Sequence, residues 1–284
     1  MPDTLDRASY RALVEQALAE DVGPGDITTR AIVPAGARAE AAIVAKASGV
    51  IAGLDLATET FQQVDARIEV VAIAQDGDPC TPGDRIATVR GPAAGVMTGE
   101  RTALNFLQYL SGIATRTRAL VNAAGGRLVI LDTRKTTPVL RALAKYAVRC
   151  GGGTNHRFGL YDGVLIKDNH IRLAGSVGEA VRRVRAAGIG LPIEVEAQSL
   201  DDVEAALAAG ADIIMLDNLD DGAIARAIAR IHRRARVELS GSMTVERVRT
   251  LAALGADVIS VGALTHSAPA LDMSLEVERL LSLP

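Results

Sequence analysis

Two hydrophobic rhythms divide the chain near residue 110. Before that point, short alternating runs, AEAAIVAKASG, ARIEVVAIAQDG and DRIATVRG, are separated by Gly/Pro turns, the pattern of an antiparallel sheet. An amphipathic helix around Tyr10–Ala19 precedes them, followed by a polar turn, EDVGPGDITT. GDPCTPGD carries two prolines and reads as a loop. From Thr98 the spacing turns helical, with Leu104, Leu107 and Leu110 on one face, as far as Gly112. A second helix covers Ala119–Ala124 and stops at Gly125-Gly126.

Further on, short apolar runs recur: RLVILDTRK, DGVLIKDN, PIEVEAQ, ADIIMLDN, RVELSGS and ADVISVGA. Stretches of helical spacing such as SLDDVEAALAAG and MTVERVRTLAALG lie between them. Strand alternating with helix implies parallel βα units. GADIIMLD at Gly210–Asp217 is echoed by GADVISVG at Gly255–Gly262, and such repetition favours a β/α barrel over an open sheet.

In a barrel the carboxyl ends of the strands converge on one mouth, where active sites are built. The runs end in Arg134-Lys135, Lys167-Asp168, Glu196, Asp217-Asn218, Ser240-Gly241-Ser242 and Gly262-Ala263. From Glu196 the successive spacings to Asp217, Ser240 and Gly262 are 21, 23 and 22 residues, about one βα unit each, so these four should ring one opening. A charge at a strand end is costly to bury unless it is paired or meets a ligand. Either Glu196 and Asp217 salt-bridge Lys135 or Lys167, or they act together on a hard cation such as Mg²⁺ or on positive charge developing on a sugar. The small turns SGS and VGA can offer peptide N–H groups to a phosphate; their plainer reading is a tight turn that needs glycine.

The charge distribution sharpens this picture. The chain carries a net charge of −3, yet Arg134 to Arg172 holds eight Lys or Arg against two Asp, arranged around a GGG run and the pair His156-Arg157. That grouping reads as a socket for a small polyanion, with GGGTNHR as a flexible loop delivering His156 and Arg157. Arg101, in the first turn of its helix, is either an anion contact or a surface ion-pair partner. Aromatic residues make up only 2 %, too few for base-stacking platforms, and the acidic balance argues against nonspecific duplex binding. Cys80 and Cys150 form no CxxC pair, so neither a zinc site nor a disulfide framework is indicated. The charged, helical N-terminus is not a signal peptide and no uncharged run reaches membrane-spanning length, so a soluble, cytoplasmic protein is expected.

These residues also carry a family resemblance. GDITT (Gly25–Thr29), GERTALNFLQYLSGIAT (Gly99–Thr115), LDTRKTTP (Leu131–Pro138), GGGTNHRFGLYDGVLIKDNH (Gly151–His170), IEVEAQ (Ile193–Gln198), IIMLDN (Ile213–Asn218) and VELSG occur in order over almost the whole chain. In these motifs the chain resembles the quinolinate phosphoribosyltransferases. The resemblance implies an α/β fold: an N-terminal α+β open-faced sandwich over 1–110, joined by the C-terminal segment 269–284, and an incomplete β/α barrel over 111–268. It implies a homodimer in which Arg101 reaches the partner's barrel mouth. Quinolinate would be held by Arg101, Arg134, His156, Arg157 and Lys167. Lys135 would lie between quinolinate and phosphoribosyl pyrophosphate, and Glu196 and Asp217 would face the ribose and the Mg²⁺-pyrophosphate. Ser240, Gly241, Gly262 and Ala263 would hold the 5′-phosphate. Where the family usually reads SGG, this chain has Ser242, whose Cβ resists a positive φ and whose hydroxyl could instead add a phosphate contact.

Three other readings stay open on the residues alone. One is a relative acting on nicotinate or another monocarboxylate, which would need fewer cations. Another is a lyase or aldolase forming a Schiff base through Lys167. The third is a non-catalytic anion-binding barrel.

Overall fold

The computed structural model describes residues 5–282. In chain order the elements are α1 (Arg11–Val22), α2 (Ile27–Ile32), β1 (Arg38–Ala45), β2 (Gly49–Val50), α3 (Leu54–Val64), β3 (Glu69–Ala72), β4 (Pro79–Cys80), β5 (Arg85–Pro92) and α4 (Ala93–Ala124). They continue as β6 (Val129–Leu131), α5 (Arg141–Cys150), β7 (Val164–Ile166), α6 (Asp168–Ala174), α7 (Val177–Ala186), β8 (Ile193–Ala197), α8 (Leu200–Ala208) and β9 (Ile213–Asp217). The last are α9 (Asp221–Ile231), β10 (Arg236–Ser240), α10 (Val245–Leu251), β11 (Val258–Ser260), α11 (Ala263–His266) and β12 (Met273–Ser282).

The chain forms two compact units. One takes in the chain as far as Arg118, together with Pro138–Gly152 and the chain from Ser267; the other takes in Ala119–Thr137 and Gly153–His266. The first is built on a four-stranded antiparallel sheet in the order β12-β1-β5-β3. β1 sits in its interior and its residues are almost all buried, which the run AEAAIVA permits because small and β-branched side chains pack on both faces. Leu104 and Leu107 of α4 join Ile43, Ile51, Phe61, Ile86 and Val89 in the core of this unit. On α1 the buried positions Val14 and Leu18 lie one turn apart, with Tyr10 buried just before them.

The sequence predicts two helices broken at Gly112, but α4 is continuous over 32 residues. Gly112 is required for close approach instead: a Cβ there would stand 2.1 Å from the carbonyl oxygen of Pro269. Just beyond that contact, the Leu271 N–H bonds to the Gln108 carbonyl and the Gln108 amide bonds to the Met273 carbonyl, which sets β12 on its path. Two shorter differences have similarly local causes. Asp26 accepts the Thr29 N–H at 2.9 Å and so caps a helix within the supposed polar turn. Pro79–Cys80 pairs with Gly49–Val50 inside the supposed loop.

The second unit is a six-stranded parallel sheet in the order β6-β11-β10-β9-β8-β7, a ring left open between β6 and β7. The repeated GAD motif has a structural reason. Gly210 and Gly255 take left-handed φ values of 73° and 89°. Asp212 then accepts the Ile193 N–H at 2.8 Å, and Asp257 accepts the Val237 N–H at 2.7 Å. Each aspartate thereby ties the beginning of the preceding strand, Ile193 of β8 or Val237 of β10, to the start of its own. Among the described residues no helix is long and apolar enough to cross a membrane.

Gly112→Ala should destabilise the protein by about 1–3 kcal/mol, the usual cost of overpacking. Denaturant unfolding would measure it; an unchanged midpoint would mean that the Pro269 backbone moves aside freely.

Candidate active site

The carboxyl ends of the parallel strands surround a cavity of about 410 Å³. Arg134, Lys135, His156, Arg157, Lys167, Glu196, Asp217 and Ser240 all line it. Gly241, Ser242, Gly262 and Ala263 are not among its lining residues; they form the turns that leave β10 and β11 at the same end of the sheet. Arg101 is an exposed residue of α4 in the first unit. The left-handed conformation in the SGS turn falls on Gly241, with φ 135°, where a Cβ would stand 2.8 Å from Asn218 Oδ1. Ser242 is spared a positive φ. Gly262 is similarly hemmed in, since a Cβ would meet Lys135 Cδ at 2.9 Å. The Lys135 carbonyl accepts the Thr265 hydroxyl at 2.8 Å, which ties the turn after β6 to α11.

The segment carrying His156 and Arg157 is not loose. Thr154 runs parallel to β6: its N–H bonds to the Ile130 carbonyl at 2.8 Å, and its carbonyl accepts the Asp132 N–H at 3.2 Å. Asp132 is fully buried. Its carboxylate accepts the Asn155 side-chain amide at 2.6 Å and the His156 N–H at 2.9 Å. From the sequence Asp132 was only the last letter of an apolar run; a carboxylate at that place is the signal that could have marked it.

Two further residues escaped notice for the same reason. Glu194 and Glu238 are buried inside β8 and β10, with Oε2 atoms 3.3 and 3.4 Å from His156 Nε2. Their signal was a charge within an apolar strand, two residues before Glu196 and Ser240 and hence on the same face. Ligand atoms of His156, Glu194 and Glu238 lie within 4.8 Å of one another, close enough to share a proton or a metal ion. Burial alone works against a charged His156 ring; the hydrogen bonds and charges of the two glutamates outweigh it and lift its pKa to about 10. The Nδ1 atom lies 2.7 Å from the Arg157 backbone nitrogen, so the ring stands between that group and the two glutamates. Burial, and next to it the Glu238 charge, raises the Glu194 carboxyl, while His156 pulls it down. His156 and Glu194 therefore share their protons.

The same cavity brings cations and carboxylates together. Burial and the nearby Arg134 make the Arg157 guanidinium hold its proton less firmly than usual. Arg157 Nη1 donates to the Gly163 carbonyl at 3.1 Å. Burial and then the charge of Asp217 raise the Glu196 carboxyl above the ordinary range, while Gln198 and Lys167 act the other way. Glu196 accepts from Gln198 at 3.1 Å and Asp217 from Asn218 at 2.9 Å. A site that lines one cavity with several cations and two neighbouring carboxylates can bind a substrate that carries both anionic groups and a cationic or metal-bearing part.

Comparison with known proteins assigns this arrangement. Family models described as the quinolinate phosphoribosyl transferase N-terminal and C-terminal domains match residues 26–111 and 113–276. The chain belongs to the quinolinate phosphoribosyl transferase family. A probable nicotinate-nucleotide pyrophosphorylase [carboxylating] of Bacillus subtilis is 43 % identical over 96 % of this chain and 95 % of its own length. A nicotinate-nucleotide pyrophosphorylase [carboxylating] of Mycobacterium leprae is 45 % identical, covering 94 % and 96 %. Among solved structures, NadC from Streptococcus pyogenes matches with a TM-score of 0.94 at 43 % identity, over 98 % of this chain and 99 % of that one. Family membership also bears out the α/β fold with an incomplete barrel that the sequence implied.

Asp132→Ala removes the acceptor for two donors in the family's GGGTNHR segment. Leaving a buried donor unsatisfied costs about 1–3 kcal/mol. Amide hydrogen exchange across 153–157 should speed up markedly while β9 and β10 stay protected. Unchanged exchange there would show that Asp132 does not hold the segment.

Proposed function

We propose that this chain transfers the phosphoribosyl group of phosphoribosyl pyrophosphate to the ring nitrogen of quinolinate, releasing pyrophosphate and CO2 and giving nicotinate mononucleotide, a step of de novo NAD biosynthesis. One observation carries the reading. Arg134, Lys135, Arg157 and Lys167 share a single cavity with Glu196 and Asp217. That number of cations suits a dicarboxylate better than a monocarboxylate, and a passive anion site would have no use for the two carboxylates. The names of the relatives agree with it.

On this reading the arginines and Lys167 orient the two carboxylates of quinolinate, so that the ring nitrogen faces C1 of the ribose. The nitrogen lone pair forms the new bond to C1, and the C1–oxygen bond breaks with its electrons leaving on pyrophosphate. Glu196 or Asp217 stabilises the positive charge that develops on the ribose meanwhile. The ring nitrogen is then cationic. It accepts the electron pair left when the bond from C2 to its carboxylate breaks and CO2 departs, and C2 afterwards takes up a proton. Lys135 spans the two substrates, and the turns at Ser240, Gly241, Ser242, Gly262 and Ala263 receive the 5′-phosphate.

The donor set fits Mg²⁺. The Asp217 charge raises the Glu196 carboxyl at the cavity wall, and a hard divalent cation would relieve that repulsion; Glu196 and Asp217 would hold it, largely through water and pyrophosphate. When bound, such an ion neutralises charge on the leaving pyrophosphate. A homodimer belongs to the same proposal, with Arg101 of the partner subunit completing the quinolinate pocket; the exposure of Arg101 on α4 supports it. A cytoplasmic setting accords with two buried free thiols.

Incubation with quinolinate, phosphoribosyl pyrophosphate and Mg²⁺ should yield CO2 and nicotinate mononucleotide in equal amounts. Turnover with nicotinate and none with quinolinate would reassign the substrate. Arg134→Ala should weaken quinolinate binding by about 2–5 kcal/mol, at least about thirtyfold. Near-wild-type steady-state constants would remove Arg134 from the pocket. The carboxylate pair sets the sign of the pH response. Asp217 raises the Glu196 carboxyl, so Asp217→Asn should lower it and move the acid limb of the residual kcat/KM profile to lower pH. An unmoved limb would uncouple the two.

A further inference from the structure

Asn218 has no place in the chemistry above, yet its backbone is unusual. It directly follows β9 and takes a φ of 55°. Among the described residues only three other non-glycine positions, Val139, His232 and Arg233, have a positive φ. Asparagine tolerates that conformation better than most residues, because its short side chain can hydrogen-bond locally. The chain leaves the strand there, one residue past Asp217, which lines the 410 Å³ cavity. Asn218 itself does not line it.

Three parts of Asn218 are engaged. Its N–H donates to the Ser240 carbonyl at 3.2 Å. Its side-chain Nδ2 donates to Asp217 Oδ2 at 2.9 Å. Its Oδ1 stands 2.8 Å from the place a Cβ on Gly241 would occupy. Gly241 is thereby confined twice, by that oxygen and by its own φ of 135°. The register of the sheet explains why one residue reaches both neighbours. Asp217 on β9 pairs with Ser240 on β10, so the next residues, Asn218 and Gly241, leave the sheet side by side. A second tie lies one residue on. Arg247 of α10, the helix that follows the Ser240–Ser242 turn, donates from Nη2 to the Leu219 carbonyl at 3.0 Å. The residue type matters at 218. An aspartate would set a like charge beside Asp217, and a glycine would keep the backbone but lose the side-chain contacts. Asparagine supplies a donor for the carboxylate and a neutral oxygen for the turn.

We propose that Asn218 is a positioning residue for the phosphoribosyl donor: it couples the Asp217 carboxylate to the Ser240–Ser242 turn, so that the pyrophosphate end and the 5′-phosphate end of the donor are received at one fixed separation. This rests on the function proposed above, in which Asp217 faces the Mg²⁺-pyrophosphate and the turn receives the 5′-phosphate. The amide donates to Oδ2, which fixes the carboxylate plane and leaves Oδ1 for a ligand. A sugar phosphorylated at one end only engages half of the arrangement. None of these contacts involves Arg134, Arg157 or Lys167, so quinolinate is indifferent to them.

Two half-ligands separate the ends of the donor. Ribose 5-phosphate carries only the 5′-phosphate, and Mg²⁺-pyrophosphate only the leaving group. Asn218→Gly keeps the left-handed backbone at no steric cost and removes the side chain. In titration calorimetry this variant should bind each half-ligand about tenfold more weakly than wild type, the scale of one lost hydrogen bond to a charged group. Quinolinate binding, which also reports a folded site, should stay within about twofold. Loss of one half-ligand alone overturns the coupling, because Asn218 would then serve that end only. Unchanged affinity for both overturns it as well, and so does an equal loss of quinolinate, which would report a merely structural role. Wild-type protein that binds neither half-ligand sinks the donor reading and the coupling with it. Wild-type protein that binds both but turns over no quinolinate sinks the substrate assignment alone, and the coupling is still read from the two affinities.

Discussion

A parallel sheet that stops at six strands leaves backbone groups of its end strands without neighbours, and buried peptide groups must be paired. Here the open edge of β6 is met by Thr154, which supplies both a donor and an acceptor to it. The segment that closes the edge is the one that brings His156 and Arg157 to the mouth, and the Asp132 carboxylate fastens it. Sealing the barrel and assembling the anion pocket are therefore a single structural event. A regular seventh strand would satisfy the backbone equally well, but it would hold successive side chains alternately in and out. The glycine-rich segment escapes that alternation and presents two neighbouring cationic-type residues at the cavity.

The second organising principle is a division of charge by depth. At the mouth, cations and carboxylates line one cavity. One layer down, the carboxylates of Glu194 and Glu238 answer to His156. Low-dielectric surroundings strengthen both sets of interactions, and they make every unpaired group expensive. On the function proposed above, cations already gathered at the cavity would leave little reorganisation to be done when a doubly charged substrate binds.

Much of this was legible in the sequence because the signals are local. Strand ends follow from apolar runs of fixed length, and the regular spacing from Glu196 to Gly262 places them in one ring. What escaped reading was nonlocal. Gly112 looks like a helix stop until Pro269 is known to pass beside it. Asp132 looks like the end of a strand until Asn155 and His156 come back to it. Glu194 and Glu238 sit in plain view inside apolar runs, yet a charge in a strand says only that a partner exists, not which one. The GAD repeat was noticed as similarity; its cause, an aspartate reaching an N–H near the start of the neighbouring strand, needed coordinates.

The path of β12 has a consequence for how the molecule is made. β1 takes its second neighbour from a strand that the ribosome produces only after every strand of the parallel sheet. During synthesis β7 to β11 can pair in turn as each βα step emerges, with β6 joining once β11 is made, whereas the first unit must still wait for β12 with one edge of β1 bare. The unit that begins first is the one that finishes last, and until β12 emerges its bare edge is open to pairing with other chains.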